Sequence, residues 1–577
     1  MRRILTFIAL LWACCVAAQT ADYAYPLRGV SGHCAANFGE IRPGHFHAGV
    51  DIKTGGEVGK PIIAAADGYI SRIVWQAYGY GVGLYLTLKD GTVVVYGHLD
   101  GLRDDLQKYI REERYRLKTN AVDRSFPSEK YPVRKGDVLG YSGNSGSSMG
   151  AHLHYEIRRP HTGERVNLIK EGIIKVEDRI PPRLLKLHYI EIDSLDGVCM
   201  HAPRASYDIL RYADRGYRLA VGDTLEVGRK GFFVLEASDR RDGVNNRFGV
   251  WRVTASQDGA PYFEYRMDGF TYALGRYTDA VSDYALKLHS RNEVIRLGQM
   301  AQTPDHFYTL MRDRGVIRAD AGATHTMHID VEDDCGNRSE LKFVIRGRKE
   351  EFHAERPDSS VVLHPDRRTI LTVGAWASVD IPAGVLFEKT FFRTAEKPLQ
   401  KAKNKGVVAL TPSAHLIARE IPMLHNATFH LKAEIPQKYV DHAVMARRVG
   451  EGRYAYVGGR YADGGVRCKA RSGGWMALVA DTLPPTISPR FPKKRAQGVA
   501  DLRGAKDLMF KVSDNFSGIS SYSMSVDGRW VPCDRQPIRG EFFYRFDSPA
   551  TGRVHSVELR ARDNAGNSTT WRGKFFR

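Results

Sequence analysis

The sequence predicts a mainly β protein built from several domains. Three observations carry this. The chain has 577 residues, whereas a single hydrophobic core stops growing at roughly 250–300 residues. Glycine is frequent at 56 residues and aromatics reach 10%, a composition that suits strands and turns better than long helices. Short apolar or alternating runs recur throughout, each bounded by Gly, Asp, Asn or Pro.

Charge narrows the function classes. The formal net charge is +19 and the pI about 9.5, so the chain is attracted to polyanions: nucleic acid, phospholipid or an anionic envelope. The first residues separate these. MRRILTFIALLWACCVAAQT joins Arg2 and Arg3 to an apolar run from Ile4 to Cys15 and the small residues Val16, Ala17 and Ala18. That is the pattern of a secretory signal peptide, residues 1–18, cut after Ala18. The run is too short to span a bilayer, and no later segment predicts a transmembrane helix. LWAC ahead of Cys14 loosely matches a lipoprotein box that would leave a lipidated Cys14, but Trp12 fits it poorly. The protein is therefore expected to be exported, to the periplasm, the cell envelope or the medium. The leader, and the lack of any recognised motif, disfavour a nucleic-acid partner. Beyond Cys14 and Cys15 the cysteines are Cys34, Cys199, Cys335, Cys468 and Cys533. They are scattered and lack CxxC spacing, so neither a thiolate zinc site nor a disulfide framework is indicated, although one bridge stays open.

The first domain is expected over residues 21–177. PIIAAA from Pro61, GYISRIVW from Gly68, GLYLTLK from Gly83, TVVVYGHL from Thr92, DVLGYSG from Asp137 and HLHYEIR from His152 read as strands of an antiparallel sheet. One stretch departs from that pattern. Leu102, Leu106, Tyr109 and Ile110 fall at helical spacing among charges. They predict an amphipathic helix in an insertion over 101–132, packed beside the sheet or walling a groove.

The chemistry lies in this domain. His47 and Asp51 stand in HFHAGVD, His98 in VVVYGHLDG, and His152 and His154 in SSMGAHLHYEI. Residues two apart on a strand share a face, so His152 and His154 project together, as do His47 and Asp51 if their segment is extended. A catalytic zinc takes three N/O ligands and leaves one position for water, and further histidines nearby can move protons. HxH or HxxxD alone is weak evidence, since most histidines are surface or hydrogen-bonded residues. The three segments together, in this order and on predicted strands, are far more specific.

HAGVD, YGHL and GAHLHYE resemble the three signatures of the lysostaphin/LytM-type zinc metalloendopeptidases, and FGEIRPGHFHAGVDI, GKPIIAAADGYI and VRKGDVLGYSGNSGSSMGAHLHYEI extend the likeness over about Phe38 to Leu168. The resemblance implies one Zn2+ held by His47, Asp51 and His154, with His98 and His152 catalytic. It also implies hydrolysis of peptide bridges in bacterial peptidoglycan, the peptide stems being the partner. Around these motifs, His45 is expected beside a ligand or in the cleft. Arg42 is placed to bind a substrate carboxylate or to hold its loop. SGNSGSS is either a source of backbone N–H groups for substrate or only a turn.

The rest reads as an extended β-rich carrier with a faint repeat. DRIPP at Asp178 parallels DTLPP at Asp481, SDRRDGV around Asp239 parallels SDNFSGI around Asp514, and DDCGNRS at Asp333 parallels DNAGNS at Asp563. Residues 178–348 and 481–577 therefore predict two β-sandwich modules resembling immunoglobulin-like domains. Their Asp-rich turns could bind calcium, but capping of turns is the preferred reading. Residues 349–480, with alternating runs flanking KPLQKAKNKG, predict a third sandwich. Its basic residues suit an anionic envelope polymer or simply a soluble surface, the second being preferred. The expected function is thus a secreted zinc endopeptidase of peptidoglycan. The alternatives are a catalytically silent or autoinhibited regulator of other wall hydrolases and a wall-binding or adhesion protein.

Overall fold

The computed structural model describes residues 22–30 and 32–577. The signal-peptide reading over 1–18 and the Cys14 alternative lie outside the described residues. Among the described residues, no helix is long and apolar enough to cross a membrane. The five cysteines Cys34, Cys199, Cys335, Cys468 and Cys533 are all unpaired.

The fold is mainly β, built of antiparallel sheets. In the N-terminal region the strands are β1 (Cys34–Ala36), β2 (Val50–Lys53), β3 (Gly68–Trp75), β4 (Val82–Leu88), β5 (Val93–Gly97), β6 (Val122–Ser125) and β7 (His152–Arg158). They pair in the order β1-β2-β7-β5-β4-β3-β6. The alternation of the pleat divides β7 cleanly. Leu153, Tyr155 and Ile157 enter the core beside Val50, Ile52, Leu84, Leu86, Val94 and Tyr96. His152, His154 and Glu156 face the other way. A smaller sheet joins Pro61–Ile63, Val138–Tyr141 and Gly101–Leu102.

The insertion holds one helix, α1 (Asp104–Leu117), with Asp104 and Asp105 in its first turn and Arg114 and Arg116 in its last, the charge order the helix dipole favours. Its Leu106 and Ile110 join the N-terminal core. Its far end holds the C-terminal module. Arg114 Nη2 reaches Asp534 Oδ1 at 2.7 Å, as does Trp75 Nε1, and Arg545 Nη2 reaches Asp100 Oδ1 at 3.0 Å.

Downstream, the strands that matter here are β8 (Arg183–Leu195), β9 (Lys230–Arg241), β10 (Thr324–Glu332), β11 (Arg338–Gly347), β12 (Asp507–Ser513), β13 (Val554–Asp563) and β14 (Ser568–Phe576). Strands β8 and β9 pair in one sheet, and β10–β11 and β13–β14 are long hairpins of matching shape. Residues 349–480 form two further sheets, led by Thr369–Val373, Ala377–Ile381 and Ala427–Lys432 in one and Ala443–Gly450 and Trp475–Asp481 in the other.

The carrier is not extended. Phe38, Ile41 and Phe46 are buried in the core of 178–348, against residues such as Phe233, Phe263, Phe270 and Phe307. Arg165–Val166 pairs with Gly269–Phe270 across the same junction. Arg471 Nη2, from 349–480, reaches the Gly44 carbonyl at 3.3 Å. The apolar side chains of the 37–47 loop are thus covered by 178–348 and not by the N-terminal core.

Candidate metal centre

Strand pairing sets the site. In β2 and β7, Asp51 lies directly opposite His154, and across the next pair His154 lies opposite Gly97. Directly opposed side chains on one face of an antiparallel pair are close neighbours. Gly97 has no side chain, which leaves space over His154. A Cβ on Gly49 would sit 2.3 Å from the Tyr155 carbonyl oxygen, so only glycine lets β2 approach β7 this closely. His47 follows the short strand His45–Phe46 and swings onto the same face. His98 ends β5 with φ +62°, a left-handed conformation that a non-glycine residue adopts at some cost and that recurs at functional sites.

Three donor atoms converge. His47 Nε2, Asp51 Oδ1 and His154 Nδ1 are mutually 2.8–3.1 Å apart, and all three residues are buried. The hydrogen bonds behind them decide which lone pairs face inward. A carbonyl only accepts, so His47 Nδ1–H donates to the Asn37 carbonyl at 2.6 Å and leaves Nε2 bare. His154 Nε2–H donates to Glu156 Oε1 at 2.9 Å and turns Nδ1 towards Asp51. One positive charge must sit among these acceptors, either a proton or a metal ion. Burial and Arg42 push the His47 pKa down to about 4, keeping it neutral. Burial lowers His154 too, but the Asp51 and Glu156 carboxylates outweigh it and raise the pKa to about 9. In the absence of metal, that proton occupies the centre; a divalent cation would displace it. Two imidazoles and one carboxylate form the donor set of a catalytic zinc site, and the group could hold a metal.

No family model matches the chain. Over 120 residues it is 34% identical to an uncharacterized metalloprotease of Haemophilus influenzae, a match covering 20% of this chain and 19% of that protein. Over 128 residues it is 30% identical to the DD-carboxypeptidase/endopeptidase Mpg of Neisseria meningitidis, covering 22% and 23%. The N-terminal region resembles a LytM-type metallopeptidase. The chain spans about a fifth of the length of these curated relatives. Among solved structures, the catalytic domain of the prophage-encoded M23 protein EnpA from Enterococcus faecalis is 25% identical, with a TM-score of 0.17, covering 23% of this chain and 86% of that one. The catalytic domain of lysostaphin from Staphylococcus simulans is 23% identical, with a TM-score of 0.14, covering 25% and 84%.

Two more histidines of this region flank the centre. The His98 and His152 rings lie 4.8 Å apart, and His98 is 5.8 Å from His154. His98 Nδ1–H donates to the Ser145 carbonyl at 2.9 Å, and His152 Nδ1–H to the Gly150 carbonyl at 2.8 Å. Both therefore keep a bare Nε2. That of His152 is buried, lacks a hydrogen bond and lies 3.4 Å from Asp51 Oδ1. Burial and the neighbouring His152 push the His98 pKa down to about 3. Ser145 lies in SGNSGSS and Gly150 two residues beyond it, so this loop and its exit orient the histidine pair.

The remaining expectations resolve as follows. Arg42 holds the loop: its Nη2 reaches Glu40 Oε2 at 3.0 Å and Asp51 Oδ2 at 3.3 Å. His45 is exposed and bonds only Pro43 within its own turn, away from the ligands. Glu156, Tyr80 and Asn37 escaped the sequence reading. The fully buried Glu156 bonds His154 and Tyr80 and pairs with Arg158 at 2.7 Å. Burial raises its carboxyl pKa, but Arg158 and His154 hold it below the usual range. The period of β7 pointed to it, since Glu156 continues the His152–His154 face. Nothing local marks Tyr80 or Asn37.

Proposed function

We propose that the chain is an exported, zinc-dependent endopeptidase that cuts peptide cross-links of bacterial peptidoglycan. The observation that carries this is the convergence of His47 Nε2, Asp51 Oδ1 and His154 Nδ1, with His98 and His152 turned onto the same spot. The relatives named above, a metalloprotease and a carboxypeptidase/endopeptidase, support the reading. Zinc bound there would polarise a scissile carbonyl and lower the pKa of a water towards about 7.

The chain's own residues do the rest. Neutral His98, anchored on Ser145, presents Nε2 to take a proton from the attacking water. His152, anchored on Gly150, receives that proton from His98 at its bare Nε2, steadies the developing oxyanion as an imidazolium and then gives the proton to the departing amine. Arg42 and Glu156 hold Asp51 and His154 in place. The β-sandwich modules, immunoglobulin-like in this proposal, position the catalytic region and brace its 37–47 loop.

The test is digestion of purified peptidoglycan by the zinc-loaded full chain, with products identified by mass spectrometry. Loss of cross-linked dimers with wild type, and not with His98→Ala or His154→Ala, is expected. Intact dimers after treatment with zinc-loaded wild type, on walls of several types, would overturn the proposal.

A further inference from the structure

Two acidic clusters of one design lie outside the metal centre. Asp178, Asp239 and Asp333 each bring a carboxylate oxygen within 4.8 Å of the other two, and Asp481, Asp514 and Asp563 do the same. The repeat seen in the sequence thus closes in space: the Pro-Pro entry, the middle turn and the hairpin turn each deliver one aspartate.

The frames match bond for bond. The Asn337 backbone N–H donates to Asp333 Oδ1 at 2.9 Å, and its Nδ2 donates to Asp333 Oδ2 at 2.9 Å and to the Asp178 carbonyl at 3.2 Å. Asn567 repeats this on Asp563 and the Asp481 carbonyl, each at 2.8 Å. These bonds account for the hairpin aspartates as turn caps. They leave Asp239 unexplained.

Asp239 is 0% exposed, yet neither of its carboxylate oxygens has a hydrogen-bond partner. An ionised carboxylate in a core is tolerated only when paired or bound to a cation, and two further carboxylates beside it aggravate the problem. Arg241 does not answer it: its guanidinium bonds Asp334, while Nε and Nη1 stay without partners. Burial and the neighbouring Asp333 push the Asp239 carboxyl well above its ordinary pKa. The second cluster lacks this feature: Asp514 is only partly buried, and its Oδ2 caps the turn by accepting from Phe516 N and Gly518 N.

We propose that the first cluster is a calcium site, held by Asp178, Asp239 and Asp333. All the donors are oxygens, which suits a hard cation and not a metal that seeks nitrogen or sulfur. Ca2+ tolerates an irregular cage completed by water, whereas Mg2+ demands a near-ideal octahedron. The ion joins three segments far apart in sequence, the role a disulfide would fill, and the cysteines among the described residues are unpaired. The site also reaches the metal centre. Asp334, next to the ligand Asp333, accepts from Asn37 Nδ2 at 3.1 Å, and the Asn37 carbonyl holds His47.

The test uses the full chain, stripped with a chelator, reloaded with zinc and then equilibrated with excess CaCl2 or MgCl2. Bound metal is counted by elemental mass spectrometry. The expected result is one calcium ion per chain, retained against Mg2+, and a higher Tm with Ca2+. Asp239→Asn removes it and leaves the zinc count unchanged, whereas Asp514→Asn keeps it. No calcium on the wild type, which needs no variant to fold, overturns the site and leaves Asp239 a neutral acid. Calcium still bound to the folded Asp239→Asn variant also overturns it.

Discussion

Asn37 holds His47 from behind. Its carbonyl accepts the His47 Nδ1–H at 2.6 Å, while its side chain is anchored in the neighbouring module. There Nδ2 reaches the Gly249 carbonyl and Asp334 Oδ2, both at 3.1 Å, and Oδ1 accepts from Gly249 N at 2.9 Å. The orientation of a metal ligand is thus set from another part of the chain. Asn37→Ala keeps the carbonyl but frees the backbone that carries it, and removes the partner of three buried groups, the Gly249 carbonyl, Gly249 N and Asp334 Oδ2. It should destabilise the fold by about 1–3 kcal/mol and weaken zinc binding. Chemical denaturation and a competitive zinc chelator read the two effects, and His45→Ala serves as the neutral control.

Glu156 fixes His154 in the same way from within β7. Glu156→Gln removes the acceptor charge and leaves Arg158 short of its partner. A partner behind a metal ligand typically changes affinity by about 10–100-fold. That loss should appear in the zinc Kd with the fold retained, as judged by circular dichroism.

The 37–47 loop is covered by 178–348, so the N-terminal region is not expected to work alone. Truncation after residue 177 exposes Phe38, Ile41 and Phe46, each worth about 1.5–3 kcal/mol of burial. The fragment should show rapid amide exchange over this loop and a reduced zinc content. A fragment that binds zinc and digests peptidoglycan like the full chain would refute this bracing role.

Arg114 and Asp534 form a mostly buried pair, with side chains 5% and 16% exposed. Removing one partner of such a pair costs about 3–5 kcal/mol because the other charge is stranded. Arg114→Ala should release the C-terminal module from α1, seen as a larger radius of gyration in small-angle scattering.

Glu293 lies behind the same loop, its Oε1 accepting from Ile41 N at 3.1 Å. Burial is the main cause that raises its pKa from 4.5 to about 7; Glu40 adds to this, and Lys287, the Ile41 N–H and Arg42 oppose it. The folded state therefore binds this proton more tightly than the unfolded chain does. Its contribution to stability is fully present below the unfolded value and falls as pH rises towards the folded one. Denaturation free energies measured across that window should decline for wild type and be flatter for Glu293→Gln.

Motif and strand period made the centre legible. His47, Asp51, His98, His152 and His154 are local signals, and alternation along HLHYEIR places two of them on one face. The strand runs and the α1 helix were legible for the same reason. What tertiary packing decides was not. Asn37 and Tyr80 act through backbone carbonyls and distant partners, which leave no local pattern. The closed arrangement of the modules depends on Phe38, Ile41, Phe46 and Arg114 finding covers hundreds of residues away. The aspartate repeat was visible, and turn capping explains Asp333, Asp514 and Asp563. The unpartnered Asp239 became apparent only when burial and hydrogen bonds could be counted.

The most direct test of the central claim is the zinc count of the full chain after chelation and reloading, read by elemental analysis for wild type and single variants. One zinc per chain is predicted for wild type and His98→Ala, with loss of it in His154→Ala and Asp51→Ala. Full retention of zinc in the folded His154→Ala and Asp51→Ala variants would contradict the account, since no other cluster of the described residues places nitrogen ligands together.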